Sequence, residues 1–91
     1  MLATVTMRQE ALPVVRSSIA LKRQALELNL RAYQARLTEF EKRHRMTWEQ
    51  FAVGFNAGEL GDDAEWFEWE FVRDAYREAE RQLELLNSVD I

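Results

Sequence analysis

The chain has 91 residues, no cysteine, three glycines and one proline, which suits one small domain with a thin core and excludes a disulfide framework, a thiolate metal site or a cysteine nucleophile. Its 47% apolar and 31% charged content is that of a folded chain, not a disordered tail. No apolar run approaches the ~18 residues of a membrane span, and Met1 to Glu10 lacks a signal-peptide core, so a cytoplasmic protein with no membrane contact is expected.

The net charge of −4 conceals a division. Met1 to Met46 carries nine basic and four acidic residues, a balance of +5. Thr47 to Ile91 carries three basic and twelve acidic ones, a balance of −9.

Residues 1–12 read as an N-terminal arm, frayed or strand-like, because Leu2 to Arg8 alternates around two threonines and a valine. Pro13 marks the boundary with a helical domain over 13–91, since proline suits a first helical turn. From about Val14 to Arg45 the residues are mostly good helix formers, with no glycine or proline. Leu12, Ile19, Leu26, Tyr33 and Phe40 recur every seven residues, and Leu30 and Leu37 complete one stripe. Val14, Leu21, Leu28 and Ala35 form a second stripe, roughly opposite. A helix apolar on two faces has to be covered on both, which points to self-association or docking on another protein.

A second helix is expected over about 47–57. Thr47 with Gln50 has capping-box spacing, and Met46 with Phe51 that of a hydrophobic staple. Trp48, Phe51, Ala52 and Phe55 share a face, and Gly58 suits a left-handed stop. The third helix is expected over about 63–87, capped by Asp62 or Asp63. There Trp66, Trp69, Val72, Tyr76, Ala79, Leu83 and Leu86 step by three and four, with Phe67 and Phe71 on the other side.

The expected fold is therefore all-α: a long antiparallel helical hairpin, coiled-coil-like, with a short capping helix, completed by dimerisation. Basic residues of the first helix would face acidic residues of the last across the seam.

Little in the residues points to catalysis. The one histidine, His44, sits between Arg43 and Arg45, where a cation complements the helix dipole. Glu41 and His44 have the E-x-x-H spacing of bundle metal sites, but the inner stripe offers no further carboxylates. There is no Gly-rich phosphate loop and no base beside Ser17 or Ser18, so no enzyme activity and no cofactor or metal are expected. A strand followed by helices is compatible with a ribbon-helix-helix dimer reading DNA through Thr4, Thr6 and Arg8. The unbroken helix from Val14 and the pI near 5.0 weigh against it.

Between Met46 and Val72 there are seven acidic residues and no basic one, crowded by Trp48, Phe51, Phe55, Trp66 and Phe67. Asp62-Asp63 lacks the alternating ligand order of a calcium loop. Capping accounts for some of this acid but not for Glu68 and Glu70 beside large aromatics. An acidic aromatic end suits a basic protein surface, such as the RNA-binding cleft of a nuclease.

The order F-x-x-G-E-L-G-D-D-x-x-x-F-E-W, Phe55 to Trp69, preceded by Met46-Thr47-Trp48-Glu49-Gln50-Phe51, resembles a group of small acidic helical antitoxins encoded beside toxin-like genes. The likeness covers roughly the last fifty residues and implies a partner-neutralising role. The expected contact residues are Glu59, Asp62, Asp63, Glu65, Trp66, Glu68 and Trp69 at the acidic end, and Val14, Leu21 and Leu28 on the outer stripe. The alternatives are a homo-oligomeric coiled-coil scaffold and a DNA-binding autoregulator.

Overall fold

The computed structural model describes all residues, Met1–Ile91. Met1–Arg8 forms neither helix nor strand, and a short 3-10 turn over Gln9–Ala11 leads into the first helix, α1 (Leu12–His44). Helical structure thus begins inside the segment read as an arm. Pro13 lies in the first turn, where its missing N–H forfeits no bond. Lys42, Arg43 and His44 crowd the last turn, against the negative end of the dipole. Arg45 then turns left-handed at φ 53°, and the Met46 N–H donates back to the Glu41 carbonyl at 3.2 Å, which closes the helix.

The second helix, α2 (Trp48–Asn56), starts at the expected capping box. The Gln50 N–H donates to Thr47 Oγ1 at 3.2 Å, and the Thr47 N–H donates to Gln50 Oε1 at 2.9 Å. It ends as the glycine required. Gly58 has φ 72°, its N–H donates to the Phe55 carbonyl, and the Glu59 N–H donates to that of Gly54 at 2.9 Å. The third helix, α3 (Ala64–Asn87), is capped by Asp63, whose Oδ1 accepts from the Glu65 N–H at 2.9 Å.

Long-range contacts join α1 to α3. Their cross-links run in opposite order along the two helices. Arg16 donates to the Ile91 carbonyl, Arg23 to Asn87, Arg36 to Glu68 and Arg43 to Glu65. The result is an elongated body of 57 × 26 × 18 Å.

Packing is uneven along that length. Leu37, Phe40, Phe51, Trp69 and Val72 form one buried cluster where all three helices meet. Tyr33, Met46, Trp48, Phe55, Leu60, Trp66 and Tyr76 pack around it. We call this end the head. Along the remaining stem only Leu26 and Ala79 are buried, while Leu12, Ile19, Leu30, Leu83 and Leu86 stay half-covered. Gly54 is buried as well, because a Cβ there would lie 3.2 Å from the Leu60 side chain.

The charge pattern across the seam is realised in the head and not in the stem. Arg36 pairs with Glu68 at 2.8 Å and Arg43 with Glu65. Further along, Glu78 pairs instead with Arg81 of its own helix at 2.8 Å. Arg81 first, then Gln82, hydrogen-bond the Glu78 carboxylate and hold its pKa down at about 2. Lys22, Arg31, Lys42 and Arg45 make no ion pair.

Candidate functional site

The head gathers every tryptophan. Trp69 is fully buried, stacked on Phe51 with ring centroids 4.2 Å apart and on Phe40 at 5.6 Å. It belongs to the core and presents no surface to a partner. Trp66 is half-buried, and its Nε1–H donates to the Leu60 carbonyl at 3.0 Å, tying the α2–α3 connection to α3.

Two of the acids marked by the sequence as contact residues are engaged internally. Glu65 lies against both Arg43 and His44, with His44 Nε2 at 3.1 Å but out of hydrogen-bond alignment. The His44 ring also packs on Trp66 at 4.4 Å and on Trp69 at 5.8 Å. Hydrogen bonds that the Arg43 guanidinium donates to Glu39, then to Glu65, raise its pKa and fix its charge. Glu68 is tied to Arg36. These pairs are partly exposed, so water and salt screen them and each adds little to the stability of the fold.

Asp62 and Asp63 divide the roles that the sequence left open between them. Asp63 is the cap, and Asp62 is exposed without an ion pair or side-chain hydrogen bond. Asp63→Ala is therefore expected to cost about 1 kcal/mol of stability, and Asp62→Ala less than about 0.5 kcal/mol. Urea melts of the two single variants check this, and equal losses would contradict the assignment.

What remains free at the head is a different set of groups. Phe67 and Phe71 are 59% and 69% exposed, one turn apart on the outer face of α3. Phe67 stands edge-on to Phe55 of α2 at 5.4 Å. Beside them a shallow groove of about 200 Å³ runs between α2 and α3, lined by Trp48, Phe51, Ala52 and Phe55 with Glu70 and Asp74 on its rim. Glu59, Asp62, Glu70 and Asp74 enter no ion pair. The sequence placed both phenylalanines off the seam stripe, and that was the signal for this surface.

The second candidate surface lies on α1. Val14, Leu21 and Leu28 are 66%, 67% and 61% exposed, so the second stripe is uncovered along its length. No helix is long and apolar enough to cross a membrane. Compared with protein-family models, with characterised proteins and with solved structures, the chain finds no match.

Proposed function

We propose that the chain is a non-enzymatic protein-binding module, an antiparallel helical hairpin that neutralises a basic protein partner as an antitoxin does. One observation carries the reading. The outward phenylalanines Phe67 and Phe71 adjoin an aromatic-floored groove whose rim acids, Glu70 and Asp74, pair with nothing in the chain. Apolar anchors beside unneutralised acid fit a partner that brings arginine or lysine side chains to an apolar patch. The contact surface is accordingly Phe67, Phe71, Glu70 and Asp74, with Glu59 and Asp62 at its edge. It replaces a set that included Trp69, Glu65 and Glu68.

The test is co-expression with the product of the adjacent gene. A complex that survives purification, and relief of any growth arrest, is the expected result. Changing Phe67 and Phe71 together to Ser is expected to weaken that complex at least about a hundredfold, two anchors at roughly 1.5 kcal/mol each. The melting temperature should stay within a few degrees, because both rings are already in water. No complex with the wild-type chain, or an unaffected complex with the double variant, would overturn the reading. Self-association through the outer stripe of α1 is a second reading, favoured separately by the exposure of Val14, Leu21 and Leu28.

A further inference from the structure

We propose that α1 pairs with α1 of a second copy of this chain, antiparallel across a two-fold axis that passes between Leu21 and Ala25. The proposal rests on the reading that the outer stripe is an intermolecular contact, and it is independent of the acidic end. The residues of the stripe are Val14, Ser18, Leu21, Ala25, Leu28 and Ala32, and every one is exposed. They step by four and three, as the seam of a two-helix coil does. None is charged, on a helix that carries seven lysines and arginines.

Size within the stripe decides the orientation. Large residues at Val14, Leu21 and Leu28 alternate with small ones at Ser18, Ala25 and Ala32. A parallel pair would set leucine against leucine and alanine against alanine, alternating bulges with gaps. Reversing the second helix sets Leu21 against Ala25 of the other copy, Val14 against Ala32 and Leu28 against Ser18. Every layer then joins one large and one small side chain, and the two-fold repeats each layer once. The Ser18 hydroxyl does not spoil the seam, because it donates to the Val14 carbonyl at 2.9 Å within its own helix.

The occupant is a second copy because the stripe is complementary to its own inversion, a property that an unrelated partner would have no reason to meet. Charge gives the same answer in a form that can be measured. The edges of the stripe carry Lys22 and Arg31, both without ion pairs. Antiparallel pairing brings the two Lys22 side chains to the same edge near the axis, so salt should strengthen the dimer. An acidic partner helix would be weakened by salt instead. A face about 30 Å long and about 10 Å wide on each copy amounts to roughly 600 Å² in all, below what stable specific interfaces bury and in the range of weak, transient ones. A reversible dimer follows.

The test combines sedimentation with engineered thiols, since the chain has no cysteine of its own. The full chain should sediment as a dimer at about 50 µM, more completely at higher salt. Leu21→Cys and Ala25→Cys proteins, mixed and equilibrated in a glutathione buffer, should give the mixed 21–25 disulfide as the main cross-linked product. Leu21→Glu should raise the dissociation constant at least about tenfold, with the melting temperature unchanged at dilutions where the wild type is monomeric. A monomeric wild type would overturn the proposal together with the stripe reading. A dimer yielding mainly 21–21 and 25–25 disulfides, or one weakened by salt, would overturn only the antiparallel pairing. Neither outcome touches the acidic end, which the partner co-expression tests by itself.

Discussion

Trp69→Ala is expected to destabilise the protein by about 3–5 kcal/mol, the cost of removing a large aromatic side chain from a closed site. Trp69 has no exposed surface and lies among Phe40, His44, Trp48, Phe51 and Trp66, all within 6.5 Å between ring centroids. These neighbours come from all three helices, and collapse onto the void would have to move all of them. A domain of this size is stable by only about 5–15 kcal/mol, and each kcal/mol lowers the melting temperature by about 4–8 °C. A fall of more than about 12 °C is therefore expected in a circular-dichroism melt. Trp69→Phe should cost distinctly less. It keeps an aromatic ring in the stack and removes the buried Nε1–H, which has no acceptor. A Trp69→Ala protein melting within about 3 °C of the wild type would mean that the three helices do not share this core.

Leu26→Ala should cost about 2–5 kcal/mol but fail in a different way. Leu26 and Ala79 are the only buried residues of the stem, well away from the five-residue cluster in the head. Losing the Leu26 side chain leaves the stem with almost no closed contact between α1 and α3. Opening there does not require the head to open. Amide exchange should accelerate in the first half of α1 and the second half of α3. Tryptophan emission, which reports on the head, should hold to a temperature nearer that of the wild type. Equal acceleration of exchange in head and stem would contradict this division.

The local structure was legible in the sequence because its signals are local. Thr47 and Gln50 specify a helix start by their own side chains, and Gly58 specifies a stop by its permitted backbone. The helices begin and end within two residues of where those signals put them. The stripes were legible by period. What the sequence could not rank was depth within a stripe. Leu12, Ile19 and Leu30 repeat like Leu26, Leu37 and Phe40, yet only the latter three are buried, Leu37 and Phe40 where the three helices meet and Leu26 within the stem. The candidate surface suffered most from this. Glu65, Glu68 and Trp69 stood out for charge and size, but their partners Arg43, Arg36 and Phe51 all lie on other helices, the two arginines 22 and 32 residues away in sequence. Nothing in linear order distinguishes a carboxylate held by an arginine across a seam from one facing water. Phe67 and Phe71 were visible only as residues out of step with the seam.

The concentration of tertiary closure at one end makes the length of the molecule an adjustable quantity. The head depends on particular shapes, those of Trp69 against Phe51 and of Leu60 over Gly54. The stem depends on a seven-residue repeat and little else. Inserting one heptad into α1 and one into α3 would advance each helix by nearly two full turns, about 10.5 Å, and return every face to its place. The distance between the acidic end and the far tip can thus change by such increments with the acidic end itself untouched. In this architecture reach and recognition are separable, and a lineage or a designer could alter either without redesigning the other.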